Sequence, residues 1–259
     1  MAFASGNIVA SQREILGLAV CDLGWAESFS LAEEVATMPF GQNVIAFLDA
    51  RNANRLTWDA EYRAVLERQI VMPEGSGIDM ASRMLHGKRF PARFTGTAFV
   101  PALLTYLARP MRVALIGGTS ETLKQAAGDL QRHAPWHTIL PIADGAFDPE
   151  ESGAIMDRVR AARADILVVS MGSPAQEKWI DRHAGAGDAR LVLSVRGLFD
   201  VPADGSRRPE AVGRQGITAR LARKPDFTAP LLLCHVLRHK LARPRPAHGP
   251  AATAKAGSI

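Results

Sequence analysis

Glu74 lies in the segment Pro73-Glu74-Gly75-Ser76-Gly77, directly after a run of apolar residues. A carboxylate just past a buried strand stands where ligands bind in open α/β sheets, and it can take a proton from an attacking hydroxyl. By spacing alone, a solvated turn glutamate is the blander and favoured account. In 166–179, ILVVSMGSPAQEKW, a second apolar run meets a turn of Gly172, Ser173 and Pro174. Gln176 and Glu177 then fall in the first turn of a helix, where an amide and a carboxylate reach a ligand at the same sheet edge. Alternatively, Glu177 only complements the helix dipole. Trp179 and Ile180 read as core. In 111–123, MRVALIGGTSETL, Gly117 and Gly118 lead into Thr119 and Ser120. Backbone amides at such a helix start hold a phosphate, and glycines let it approach. A tight turn with Ser120 as N-cap explains the same residues equally well. No Gly-Lys-Ser/Thr comes after it and no G-x-G-x-x-G is present, so neither a P-loop nor a dinucleotide fingerprint is formed. Asp144-Gly145 is accounted for by turn chemistry. Asp200 is a further acid past a strand, suited to a ribose or sugar hydroxyl or to a cap. Arg207 and Arg208, with Arg214, Arg220, Arg223 and Lys224, suit a diphosphate through bidentate bonds or form a solvated basic face.

The apolar pattern gives the elements that would carry these groups. Strands are expected at 43–48, 69–72, 111–116, 137–141, 165–170 and 191–195. Helices are expected at 54–67, 77–86, 100–107, 120–133, 149–162 and 174–183. Continuous apolar strands alternating with helices predict an α/β fold, a mostly parallel sheet with helices on both faces. The first forty residues suggest a small antiparallel element with a turn at Phe40-Gly41-Gln42. Residues 1–226 read as the main domain. Residues 227–242 combine Leu231-Leu232-Leu233 with Arg238, His239 and Lys240. They read as an amphipathic helix that docks on a membrane, or as a helix packed on the domain. Residues 243–259 read as a disordered tail.

The chain has 259 residues, 47% hydrophobic and 22% charged, enough for a sizeable core. No apolar stretch reaches the ~18 residues of a membrane span, and the start lacks a signal-peptide pattern. Two distant cysteines, Cys21 and Cys234, form no metal-ligand pair and fit a reduced compartment. A net charge of +5 favours anionic partners: a diphosphate substrate, an anionic membrane surface or nucleic acid. The last is the weakest, because no nucleic-acid-binding motif accompanies the charge.

Taken in order, FLDARNAN (47–54), PEGSGIDMA (73–81), RFTGTAFVPALL (93–104), IGG (116–118), MGSPAQEKW (171–179), LFD (198–200) and RRP (207–209) resemble the WecG/TagA/CpsF-type glycosyltransferases, especially their exopolysaccharide-assembly branch. The resemblance spans roughly residues 43–224. It implies a Rossmann-like fold with a basic C-terminal appendage that helps membrane docking. It also implies transfer of a sugar from a UDP-sugar to a sugar on undecaprenyl diphosphate, with inversion and without an essential metal or other cofactor. The place would be the cytoplasmic face of the bacterial plasma membrane. Self-association into a homo-oligomer is left open. Carried over position by position, the family's base falls on Glu74. Its Gln-Glu pair falls on Gln176 and Glu177, its Phe-Asp on Phe199 and Asp200, and its Arg-Ala-Pro segment on Arg207, Arg208 and Pro209. With the motif and turn residues, the candidate substrate-binding set is Asp49, Arg51, Asn52, Gly75, Gly77, Thr95, Gly96, Thr97, Gly117, Gly118, Thr119, Gly172, Gln176, Glu177, Asp200, Arg207 and Arg208.

Several positions depart from the pattern. Asn-Ala-His is replaced by Asp49-Ala50-Arg51, Asp-Gly by Glu74-Gly75, and Gly-Thr-Asp by Gly96-Thr97-Ala98. Arg196 replaces a glycine, and only Gly216-Ile217-Thr218-Ala219 stands for Gly-Leu-Glu-Trp. A base moved by about 1 Å can cost ~10²-fold in rate. Arg51 and Arg196 either complement an acidic donor sugar or block the site. Two readings therefore stand: an active transferase with altered specificity, and a catalytically silent paralogue that binds UDP-sugar, lipid-linked sugar or a partner enzyme. A nucleotide-binding oxidoreductase is a distant third.

Overall fold

The computed structural model describes residues 11–200 and 228–242. Residues 243–259, the expected tail, lie outside them. The core is a six-stranded, wholly parallel sheet. Its strands are β3 (Asn43–Leu48), β4 (Ile70–Pro73), β5 (Arg112–Gly117), β6 (Thr138–Ala143), β7 (Ile166–Ser170) and β8 (Leu191–Ser194), in the order β4-β3-β8-β7-β5-β6. All six expected strands are present within a residue or two. Continuous apolar runs produce them because both faces are covered: Ile166, Leu167, Val168 and Val169 are all fully buried.

Helices α1 (Trp25–Thr37), α5 (Gly96–Tyr106) and α6 (Ser120–His133) cover one face, against Ile45, Phe47, Val113 and Leu193. On the other face lie α2 (Ala50–Arg55), α3 (Ala60–Leu66), α4 (Gly75–His86), α7 (Ser152–Ala161) and α8 (Ala175–His183). There Ala46, Leu48, Leu167 and Val169 point from the alternate positions of the strands. This is the doubly covered α/β architecture expected from the sequence.

Four expectations are corrected. The first forty residues do hold an antiparallel hairpin, β1 (Gln12–Ile15) with β2 (Leu18–Cys21), but the segment after it is mostly helix α1. The expected helix at 54–67 is two helices, because Asp59 accepts a bond from the Tyr62 amide and caps a new one. Helices α4 and α5 begin two and four residues earlier than expected, at Gly75 and Gly96. The cap of α6 is Thr119, not Ser120. Thr119 and Thr122 exchange side-chain bonds with each other's backbone amides.

Helix α9 (Thr228–Ala242) rests on α2 and α4. Leu232 and Val236 are fully buried in their cluster, the Asn54 amide donates to the Thr228 carbonyl at 2.7 Å, and Lys240 donates to the Met84 carbonyl at 2.8 Å. Its outer side carries Leu231, Leu237 and Leu241 at 48, 50 and 77% exposure, with Cys234 exposed among them. Packing on the domain and a solvent-facing apolar side therefore coexist in one helix. Among the described residues, no helix is long and apolar enough to cross a membrane.

Candidate active site

Parallel strands direct all their carboxyl ends to one edge. Reading across that edge in strand order gives Glu74 after β4, Asp49 after β3, Arg196 after β8, Gly172 after β7, Gly117 ending β5 with Gly118 and Thr119 next, and Asp144 after β6. Motifs more than a hundred residues apart in sequence thus share one rim, the usual ligand crevice of such sheets. Neighbouring strands lie ~4.8 Å apart, so the rim from β4 to β5 is about 19 Å long.

Its first half is built on helix starts. Glu74 occupies the N-cap position of α4, yet its side chain does not cap that helix. Instead Oε1 accepts a 3.0 Å bond from the Gly96 amide, the first residue of α5, while backbone bridging of Glu74 with Phe94 holds the two segments together. Glu74 as a whole is half-buried. Thr95 caps α5 by accepting from the Ala98 amide, and Thr97 donates weakly to Thr95 at 3.4 Å. Gly75 opens α4 on the rim, and Gly77 packs against Ala50, where a Cβ would come within 2.6 Å. Asp49 caps α2 through the Asn52 amide at 2.8 Å and ion-pairs with Arg196 at 2.7 Å. Asn52 itself is 3% exposed, whereas Arg51 faces solvent.

The second half is built on turns. A Cβ on Gly117 would lie 2.0 Å from the Ser170 carbonyl oxygen, so that glycine exists to let β5 approach β7. Gly118 likewise packs against Phe199 and Thr122. Gly172 differs: its φ is +95° and a Cβ there would meet nothing. The backbone at Gly172 therefore borders open space. Beyond Thr119, an open hollow is lined by Ser120, Lys124, Ile142, Asp144, Phe147 and Arg158. Asp144 accepts from Ser120 at 2.6 Å and from the Ala146 amide, bonds that hold it below the ordinary carboxylate range. Turn chemistry is its observed use.

Between the halves, Gln176 and Glu177 are each 1% exposed. Gln176 accepts from the Met171 and Gly172 amides and donates to Ser194 and Glu177. An amide side chain has two donors and two acceptor sites, so its capacity is used within the protein. In this arrangement Gln176, expected at the substrate, fixes the open Gly172 turn. Burial pushes the Glu177 carboxyl up, opposed by the Ser173 and Ser194 hydroxyls and the Gln176 amide. Its Oε2 accepts no hydrogen bond of good geometry among the described residues. Tyr62 and Ser173 hydroxyls lie 3.2 Å apart beside it, and burial, then the Glu177 charge, pushes the Tyr62 phenol up. The dipole-only reading of Glu177 does not account for this network.

Asp200 is exposed at the end of the first described stretch, after the buried Phe199. Arg207 and Arg208 lie outside the described residues. Two contacts were not anticipated from the sequence. Arg93, one residue before Phe94, ion-pairs with the buried Asp79 at the Glu74 end. The Asp49–Arg196 pair joins two departures from the family pattern, and two co-located substitutions of opposite charge were the available signal.

The WecG/TagA/CpsF family of glycosyl transferases matches residues 13–245 as a sequence profile. A relative from Bacillus spizizenii, N-acetylglucosaminyldiphosphoundecaprenol N-acetyl-beta-D-mannosaminyltransferase, is 24% identical over 181 residues, 68% of this chain and 69% of its own. With a match over most of its length and the family's motifs gathered on one sheet edge, the chain belongs to the WecG/TagA/CpsF glycosyltransferase family.

Proposed function

We propose that this protein moves a sugar from a UDP-sugar onto a sugar carried by undecaprenyl diphosphate, inverting the anomeric centre and using no essential metal, in the assembly of a surface or exopolysaccharide. The observation that carries the reading is the placement of the Glu74 carboxylate on the same rim as the open Gly172 turn and the capped start of α6. In a single displacement the acceptor hydroxyl oxygen bonds to the anomeric carbon as the bond to the UDP oxygen breaks. The hydroxyl proton passes to Glu74, and UDP departs with the bonding pair. Amides at the start of α6, with the arginines that the family resemblance assigns to the diphosphate, meet the developing negative charge.

The name of the Bacillus relative supplies the acceptor class, a lipid-linked amino sugar. Helix α9 supports it: its first turn, at Ala229, lies beside Gly77, three residues from Glu74, and from there the exposed Leu231, Leu237 and Leu241 extend along its outer side. On this reading α9 rests in the headgroup region of the inner leaflet and presents the lipid-linked acceptor to that half of the rim.

The test is UDP release by purified protein from a panel of UDP-sugars, with and without a glycosyl-diphospho-lipid. Acceptor-dependent release from one donor is expected. Binding of UDP-sugars without any release would show a silent paralogue instead.

A further inference from the structure

We propose that Arg196 is an anion-binding and donor-selecting residue of this rim, held ready by Asp49 and handed over to the substrate's negative charge. This rests on the donor reading above and adds the residue that would make an anionic donor acceptable.

Arg196 stands at the middle of the rim. By strand spacing it lies about 10 Å from the β4 end, which carries Glu74, and about 10 Å from the β5 glycines. Its backbone is pinned on both sides. The Val195 amide donates to the Val169 carbonyl at 2.9 Å, and the Leu198 amide donates to the Ser170 hydroxyl at 3.2 Å. The side chain is not pinned in the same way. It is 43% exposed and ion-pairs with Asp49, Nη2 lying 2.7 Å from Oδ2, with no other partner among the described residues. A guanidinium has five donors in a planar fork, so most of this one remains available. Asp49 cannot follow it, because its other oxygen holds the α2 amide of Asn52.

Charge decides the role. Asp49 and Glu74 place two carboxylates on one half of the rim. A further negative charge beside them would be repelled, because like charges at a protein rim are only partly screened by solvent. Without a cation between them, a diphosphate or an acidic sugar would be turned away. Arg196 is the cation seated against Asp49 there, whereas Arg93 at the Glu74 end is held by Asp79. As a clasp alone it has little worth, because solvent screens a half-exposed pair and holding it costs side-chain entropy.

Calorimetry with UDP, UDP-N-acetylhexosamine, UDP-hexuronate and inorganic pyrophosphate tests this. Arg196→Ala is expected to weaken binding on the order of 10- to 100-fold, the effect of one charged bond lost. Asp49→Asn removes the competitor and is expected to tighten it. Weakening with UDP and pyrophosphate assigns Arg196 to the diphosphate; weakening with UDP-hexuronate alone assigns it to a sugar carboxylate. Unchanged affinities in Arg196→Ala, or equal losses in both variants accompanied by a fall in Tm, would overturn the proposal and leave a structural clasp. If wild type binds pyrophosphate through Arg196 but no UDP-sugar, the donor reading fails and the anion site stands. If it binds neither, both fail.

Discussion

The two halves of the rim solve different problems with different means. At the β4–β3 end, side chains on helix starts face the rim: Glu74 bonded to α5, Asp49 bonded to α2 and to Arg196. At the β7–β5 end, side chains turn inward and the backbone faces the rim: Gln176 is consumed by the Gly172 turn, and Gly117 by strand packing. The first half can change its chemistry by swapping a side chain without disturbing the core. The second cannot, because its residues hold one another. Among the described residues, the departures from the family pattern read in the sequence, at Asp49, Arg51, Glu74, Ala98 and Arg196, fall on the first half and the strand beside it, as this difference predicts.

The largest effect that sharpens the contrast is expected from paired glycine variants. Gly117→Ala puts a methyl into the Ser170 carbonyl and should destabilise by at least ~3 kcal/mol, read as a fall in Tm. Gly172→Ala meets no atom, so it should cost about 1 kcal/mol in strain at its positive φ while weakening UDP binding. If both variants lose only stability, the second half has no open ligand face. Next, Gln176→Leu leaves the Met171 and Gly172 amides without their acceptor and should destabilise by about 2–3 kcal/mol in chemical denaturation. An unchanged midpoint would show that the inward network is not what fixes the turn.

Smaller still is the effect of Glu177→Gln. The folded carboxyl is raised by burial, so between its unfolded and folded values the native state binds more protons than the unfolded chain. Stability should therefore fall as pH rises from the ordinary carboxylate range through the raised value. Glu177→Gln should be more stable than wild type at neutral pH, with the advantage shrinking in acid; a pH-independent difference would contradict a buried, raised Glu177. The smallest effect on stability, about 0.5 kcal/mol per residue, is expected from replacing the exposed Leu231, Leu237 and Leu241 with serine. Co-sedimentation with anionic vesicles should nonetheless drop, and unchanged co-sedimentation would remove α9 from the membrane.

The sheet was legible in the sequence because burial on both faces leaves uninterrupted apolar runs such as 166–169. Strand direction alone put the motifs on a common edge. Helix α1 was not legible: its buried Leu31, Ala32, Val35 and Ala36 are interleaved with Glu33 and Glu34 and lack a side-chain cap at Gly24. The internal use of Gln176 depends on Ser194, 18 residues away on a neighbouring strand, and no local pattern announces such a partner. The Asp49–Arg196 contact likewise forms only because β3 and β8 are neighbours, which strand order decides.

Glu74→Gln most directly tests the central claim that the first half does the proton chemistry. Acceptor-dependent UDP release should fall by ~10²–10⁴-fold, while calorimetric affinity for the UDP-sugar stays within about twofold, because a neutral amide keeps the size but cannot take the proton. Full turnover in Glu74→Gln would contradict the account and move the base elsewhere on the rim.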